Sequence, residues 1–202
     1  MMSGRKLLFF TVPVLLIGIV VYSLSGGETT SFYEKMQKER REKDEMLRTS
    51  EESPFQGKTD FQGLHYFEPD ASFEVYAKLD EEPGDKTFSV QMTGGQTETY
   101  HLYGRASFDL DGKLYSLLVF RSTEAGTLFI PFRDATNQSE SYGGGRYLDI
   151  SEKNVTASHV TIDFNKSYNP YCAYSEEYTC PIPPKENTLP VAIRAGEKRY
   201  HD

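Results

Sequence analysis

The sequence predicts a mainly β protein, an antiparallel β-barrel or sandwich of about eight strands, preceded by an N-terminal membrane helix and a charged helix. Two observations predict the β domain, which we place at residues 54–202. After Pro54 the chain runs in short segments that alternate apolar and polar residues, and turn residues separate the segments at intervals of about ten residues. The predicted strands are residues 73–80, 86–92, 97–110, 113–121, 127–132, 146–150, 154–164 and 189–194.

One turn within this series has a specific prediction. Asp111-Gly112 stands between two alternating segments, and an Asp-Gly pair favours the tight two-residue turn of a β-hairpin. No strand–helix–strand alternation is visible, so a parallel sheet is not expected.

The composition excludes one class of partner. The chain of 202 residues carries a formal net charge of -8 and therefore lacks the basic surface that nucleic-acid binding requires. It contains 14 tyrosines and 13 phenylalanines but no tryptophan, and tyrosine at this density suits half-buried strands and ligand-contacting surfaces.

Residues 1–27 are predicted to form a transmembrane anchor or a signal segment. Residues 7–24 carry no charge and as a helix would span about 27 Å, close to the thickness of the hydrocarbon core of a bilayer. The run is longer than the apolar region of most signal peptides, which favours a retained single-pass anchor. The alternative is cleavage after Ser25, which would give a secreted or periplasmic protein. A short basic tail ahead of the run predicts that the domain is extracytoplasmic (periplasmic).

Residues 28–53 predict a charged juxtamembrane helix. The segment has 14 charged residues of 26 and no glycine or proline. Acid-to-base pairs four residues apart, such as Glu34 with Lys38, support an exposed helix.

The first candidate site is the stretch FRDATNQSESYGGGRYLDI. Its glycines would let backbone N–H groups approach an anion, and Arg146 could bind one through two hydrogen bonds. The alternative is a tight turn in which Arg146 pairs with a local carboxylate such as Asp134. No P-loop or dinucleotide fingerprint is present.

The second candidate site is DFNKSYNPYCAYSEEYTC, in which Asp163 and Asn165 are expected to share one face of an extended strand. They could form a pocket floor, or they could hold an irregular buried loop. The only cysteines, Cys172 and Cys180, could form a disulfide or remain free thiols. The four histidines are scattered, and no metal site or cofactor is expected.

These stretches carry a resemblance to a known family. The segments LFIPFRDAT, SYGGGRYL, DFNKSYNPYCAY, CPIPPKEN and AGE resemble the motifs of DUF1684, a family of unknown function. The resemblance covers about residues 38–198, with departures at Ser141, Ser167 and Tyr171. It implies no activity. It also implies that members without an export segment keep both cysteines, which favours free thiols.

The functional prediction is a membrane-tethered domain that binds a small polar or anionic ligand. The alternatives are a hydrolase that uses Asp134, Asp163 or Glu197 as general base, and a non-catalytic envelope scaffold. The predicted ligand-binding residues are Arg133, Asp134, Tyr142, Gly145, Arg146, Tyr147, Asp163, Asn165, Tyr168, Asn169, Tyr174, Asn187 and Glu197.

Overall fold

The protein is described by a computed structural model that covers residues 31–57 and 60–201. Contacts within the chain divide it between Lys43 and Asp44 into two compact units. The predicted anchor at 7–24 and the alternative cleavage point after Ser25 lie outside the described residues. Within those described ranges, no helix has both the length and the apolar character that a membrane crossing needs.

An α-helix, α1, occupies residues 31–49, which confirms the helix predicted ahead of the β domain. Its surface carries exposed ion pairs, among them Lys38–Glu42 at 3.7 Å. Its last turn belongs to the second unit, where Leu47 is fully buried and joins an aromatic cluster with Phe55 and Phe61.

The second unit is built on an antiparallel sheet of seven strands. The strands are β1 Glu74–Glu81, β2 Thr87–Gln91, β3 Thr97–Leu110, β4 Lys113–Arg121, β5 Thr127–Phe132, β6 Arg146–Ser151 and β7 His159–Asp163. Their order is β6-β5-β4-β3-β1-β7, and β2 pairs with β3 beside this path. Short 3-10 helices lie at Ala71–Phe73, Glu152–Asn154, Phe164–Lys166, Tyr171–Ala173 and Lys185–Asn187.

The sheet is nearly closed into a barrel-like form. Its edge strands are β6 and β7, and the chain that leaves β7 returns to β6. There Tyr147 and Tyr168 exchange two backbone hydrogen bonds of 2.8 and 3.0 Å. This bridge covers part of an edge that would otherwise expose unpaired backbone groups.

Alternating burial fills the interior, as the pattern predicts. In β1, Val75, Ala77 and Leu79 are buried while their neighbours are exposed. In β4, Leu117 and Val119 face this main core, whereas Leu118 and Phe120 belong to a second cluster on the other face. The central strands are therefore covered on both faces.

The predicted Asp111-Gly112 hairpin is confirmed. Both residues have positive φ angles, 53° and 73°, as a type I′ turn requires. Strands β3 and β4 pair directly on either side, with Leu110 opposite Lys113.

The predicted eighth strand, residues 189–194, is wrong. Pro190 has no N–H to give to a ladder, and the neighbouring groups bond to loops instead: Leu189 N–H donates to Arg133 O, and Val191 O accepts from Ala135 N–H. The segment is irregular, and its side chains Leu189 and Ile193 pack in the main core. We call residues 188–197 the C-terminal strap.

The predicted strand at 154–164 is shorter than expected. Thr156 and His159 close a tight turn in which Ala157 and Ser158 have positive φ, so β7 begins at His159. At its other end β7 stops at Asp163, whose carboxylate caps the following 3-10 helix. Asn165 therefore lies in that helix and does not share a strand face with Asp163.

Candidate functional site

Arg146 lies at the centre of a buried polar cluster that holds the C-terminal strap. Its side chain is 0% exposed and its Nη2 lies 2.8 Å from Asp134 Oδ2. Nη2 also donates to Ile193 O at 2.7 Å, and Nη1 donates to Ala195 O at 2.5 Å and to Glu197 O at 3.1 Å. We call this the arginine cluster. One guanidinium thus joins the start of β6 to three carbonyls of the strap.

The surroundings of Arg146 enclose it completely. The rings of Phe67 and Phe132 lie 5.7 and 5.4 Å from the guanidinium carbon. Burial lowers the pKa of Arg146, and the charge of Asp134 opposes that shift. Both Nη atoms bond to protein acceptors, and Nε is buried without a hydrogen-bond partner among the described residues. The geometry corresponds to the pairing alternative that the sequence left open.

Glu197 forms a second buried centre next to the arginine cluster. Its side chain is 1% exposed, and Oε2 accepts from Asn169 N–H at 2.8 Å and from the Tyr174 hydroxyl at 2.5 Å. Burial, followed by the charge of Glu197, raises the pKa of Tyr174 well above its usual value, so this hydroxyl keeps its proton and donates. Asn169 Nδ2 donates in turn to Lys198 O at 2.7 Å.

Two asparagines of the predicted site bind backbone rather than face a cavity. Asn187 Oδ1 accepts from Leu118 N–H at 2.6 Å, and its Nδ2 donates to Leu118 O and Pro131 O at 2.9 and 2.8 Å. Asn165 does the same for Asp70, with bonds of 2.9 and 2.8 Å. In each case a side-chain amide bonds to both the N–H and the C=O of one residue, and so satisfies backbone groups that have no backbone partner there.

Gly145 serves the turn before β6. It has a φ of 98°, and a Cβ added there would lie 2.6 Å from Phe132 O, so only glycine fits. The neighbouring Arg133 is bound through its backbone, since its N–H donates to Asn187 O at 2.9 Å.

The three candidate catalytic carboxylates do not converge on a cavity. Asp134 and Glu197 both accept hydrogen bonds from Arg146, Asp134 through its carboxylate and Glu197 through its backbone carbonyl. Asp163 stands apart and accepts from both nitrogens of Asn165 at 3.0 Å. None of the three lines either of the two cavities described below.

An open cavity of about 330 Å³ lies on the other side of β6, beside the second apolar cluster. We call it the tyrosine pocket. Its wall consists of Tyr100, Ser122, Thr123, Phe129, Tyr147, Asp149, Tyr168, Pro170, Tyr171, Tyr178, Thr179, Cys180 and Pro181. Strand alternation explains its separation from the arginine cluster, because Tyr147 and Asp149 point to the face of β6 opposite Arg146.

The pocket carries one charged side chain among these wall residues. Asp149 is exposed, and its Oδ2 accepts from the Tyr168 hydroxyl at 2.6 Å. Burial and then Asp149 raise the pKa of Tyr168, and burial raises that of Tyr147, so both phenols stay neutral at pH 7. The Tyr147 hydroxyl donates to Pro181 O, which fixes the ring in the wall.

Of the ligand-binding residues predicted from sequence, Tyr147 and Tyr168 line this pocket, and one of the two predicted cysteines, Cys180, joins them. Sequence reasoning missed Asp149 and the rings contributed by Tyr100, Tyr171 and Tyr178. A signal for Asp149 was available, since it lies two residues after Tyr147 and so shares its strand face. Tyr100 comes from distant β3 and had no such signal.

The two cysteines are free thiols that lie together at the edge of the tyrosine pocket. Cys172 N–H donates to Cys180 Sγ at 3.3 Å, and the Tyr142 hydroxyl lies 3.8 Å from Cys172 Sγ. Cys180 belongs to the pocket wall. Within the part of the chain that the structure describes, no group of three or more metal-binding side chains forms a metal site.

A second cavity, of about 450 Å³, lies near the C-terminus. Its wall includes Phe55, Asp60, His65, Tyr174 and Tyr200. Among these wall residues, Tyr174 alone belongs to the sequence segments that resemble the family motifs. The wall of the tyrosine pocket contains more residues from those segments, including Tyr147, Tyr168, Pro170, Cys180 and Pro181.

Comparison with known proteins places this fold in a family. A search of curated proteins found no match. Among solved structures, the chain is similar to the solution NMR structure of an uncharacterised protein from Haloarcula marismortui, with 36% identity and a TM-score of 0.66 over 85% of this chain and 96% of that one. The family model for proteins of unknown function DUF1684 matches residues 59–198. This match covers most of the chain and confirms the resemblance seen in the motifs: the protein belongs to the DUF1684 family.

Proposed function

We propose that the protein binds a small polar ligand in the tyrosine pocket, and that the ligand carries a cationic or hydrogen-bond-donating group. The observation that carries this proposal is the combination of an open cavity of about 330 Å³ with six aromatic side chains and one exposed carboxylate in its wall. Cavities that bind small molecules begin at about 300 Å³ and combine mostly apolar walls with a few polar groups.

The charge of the pocket selects the class of ligand. The faces of tyrosine rings attract cations, and Asp149 adds a carboxylate within the same cavity. No lysine or arginine is among the residues that form its described wall. An amine or amidine therefore fits better than the anion that Arg146 suggested.

The arginine cluster and the Glu197 centre support this ligand site as a scaffold. They fix the C-terminal strap against β6, and β6 in turn positions Tyr147 and Asp149. The hydrolase alternative has no comparable support, because its candidate bases are hydrogen-bonded to protein groups and none of them lines either cavity.

The test is a comparison of three probes of one shape: benzylamine, benzyl alcohol and benzoate. Calorimetric titration of the full-length chain in mild detergent should show the order benzylamine, then benzyl alcohol, then benzoate. Asp149→Asn keeps an acceptor for Tyr168 and should weaken benzylamine about tenfold, which is about 1.4 kcal/mol.

Asp111→Asn is the matched control. It removes one negative charge in the β3–β4 turn, outside the pocket, and asparagine tolerates the positive φ found there. It should leave benzylamine binding unchanged. Equal binding of the amine and benzoate, or an equal loss in both variants, would contradict the proposed charge selection.

We propose in addition that residues 7–24 hold this binding domain at a membrane. The uncharged length of the segment supports this. Intact-mass measurement of the protein from washed membranes should give the uncleaved chain, whereas a soluble product that begins after Ser25 would contradict it.

A further inference from the structure

Cys172 and Cys180 form a pair to which the proposed function assigns no chemical role, although Cys180 lies in the wall of the tyrosine pocket. Cys172 lies in the 3-10 helix Tyr171–Ala173, and Cys180 lies eight residues further along the loop. The loop folds back, so the Cys172 N–H reaches Cys180 Sγ at 3.3 Å.

The position of Cys180 is fixed by β-strand-like contacts with the turn after β2. Cys180 N–H donates to Thr93 Oγ1 at 3.0 Å, and Thr93 N–H donates to Cys180 O at 2.9 Å. These two hydrogen bonds therefore fix the position of Cys180 next to Cys172.

Polar groups surround the sulfur of Cys172. The Tyr142 hydroxyl lies 3.8 Å from Cys172 Sγ, and the backbone of Cys172 contacts Cys180 Sγ. Hydrogen bonding, with Cys180 first, lowers the pKa of Cys172 below its usual range, whereas hydrogen bonding to Cys172, followed by burial, raises the pKa of Cys180. The tyrosines that face the pair remain neutral donors, since burial raises the pKa of Tyr142 to about 12 and that of Tyr147 still higher.

The two cysteine residues also differ in exposure. Cys172 is half-buried, whereas Cys180 is 7% exposed. A reactive dithiol needs an accessible thiolate that attacks and a neighbouring thiol that resolves the product. Geometry and access assign the first role to Cys172 and the second to Cys180.

We propose that Cys172 and Cys180 form a dithiol site that exchanges with low-molecular-weight disulfides. The Cys172 thiolate attacks one sulfur of a disulfide RSSR, which forms Cys172–S–SR and releases RS⁻. Cys180 gives its proton to RS⁻ or solvent and attacks Cys172 Sγ, which forms the Cys172–Cys180 disulfide and releases the second RS⁻. The protein loses two electrons and two protons, and RSSR becomes two RSH.

The experiment uses the full-length chain with glutathione disulfide at pH 7, followed by intact-mass measurement after acid quenching. The wild-type protein should lose two hydrogens without accumulating an adduct. Cys180→Ser keeps a hydroxyl donor next to Cys172 and should accumulate one glutathionyl group. Cys172→Ser should gain at least tenfold less adduct in the same time.

Two readouts separate a reactive site from a merely structural pair. Alkylation of Cys172 by N-ethylmaleimide should reach half its maximal rate below the usual cysteine pKa of about 8.5. Tyr142→Phe should move this midpoint upward, and Tyr115→Phe, which lies against the main core, should not.

The proposal is overturned if folded Cys180→Ser forms no mixed disulfide while the same protein reacts in urea. It is also overturned if both cysteines alkylate at the same rate with a midpoint at about 8.5. Either result is independent of benzylamine binding, so failure here leaves the proposed ligand site standing.

Discussion

Replacement of Arg146 by methionine tests whether the arginine cluster is structural. The substitution keeps much of the side-chain volume but removes the charge, and it leaves Asp134 as a buried carboxylate without its cationic partner, which keeps the hydrogen bonds from the N–H groups of Thr136 and Ile193. The loss of one member of a buried ion pair costs about 3–5 kcal/mol. Three strap carbonyls also lose this donor, although Ala195 O keeps the Ser167 hydroxyl at 3.2 Å. A buried carbonyl left unpaired adds about 1–3 kcal/mol unless water replaces the bond.

The expected loss is therefore at least about 3 kcal/mol, a large part of the ~5–15 kcal/mol that stabilises a domain. In urea denaturation followed by circular dichroism, this should lower the midpoint by about 1 M or more. Asp134→Asn combined with Arg146→Met should recover part of the loss, because no unpaired charge remains.

Arg194→Met is the matched control. Arg194 pairs with Glu140 at 2.9 Å, but its side chain is 61% exposed, so its loss should change the midpoint little. An Arg146→Met protein with the midpoint of this control would refute the structural role. If that variant also lost ligand binding, Arg146 would return as a ligand contact.

Three further predictions concern the same scaffold and use the same denaturation assay. Gly196→Ala should destabilise severely, because its Cβ would lie 2.1 Å from a neighbouring side chain at a φ of 76°, whereas Gly112→Ala has a similar φ with open space and should cost about 1 kcal/mol. Comparable losses in both would contradict the steric argument. Tyr174→Phe removes a hydrogen bond to buried Glu197 and should cost about 1.5–3 kcal/mol, and an unchanged midpoint would show that the bond is not made. Asn187→Asp places an acceptor opposite two backbone carbonyls and should destabilise more than Asn187→Ala; the reverse order would contradict the amide orientation.

The strands of the sheet could be predicted because their signals are local. Alternation and turn residues placed β3 at Thr97–Leu110, β4 at Lys113–Arg121 and β5 at Thr127–Phe132, with the same limits as the structure. Residues 189–194 of the C-terminal strap have a similar apolar pattern, but they form no strand, because Pro190 lacks an N–H and Ile193 O accepts a hydrogen bond from Arg146. The contact with Arg146 joins segments that are distant in sequence, so no local pattern could predict it.

The candidate site was predicted less well for a related reason. Arginine next to glycines resembles an anion site in sequence, and only burial shows that Arg146 is enclosed by the strap. The wall of the tyrosine pocket includes residues of β3, of β6 and of the segment 170–181, which lie far apart along the chain. Sequence located Tyr147, Tyr168 and the cysteines but could not show that Tyr100 and Asp149 join them.

The most direct test of the proposed function follows tyrosine resonances during a benzylamine titration, with the protein labelled with ¹³C at its tyrosine rings. Binding in the tyrosine pocket should give saturable shifts of Tyr100, Tyr147, Tyr168, Tyr171 and Tyr178, while Tyr76 and Tyr115 stay unchanged. Shifts centred on Tyr174 and Tyr200 would place binding in the second cavity, and the absence of saturable shifts would show that the tyrosine pocket does not bind this class of ligand. Either result would contradict the proposed function.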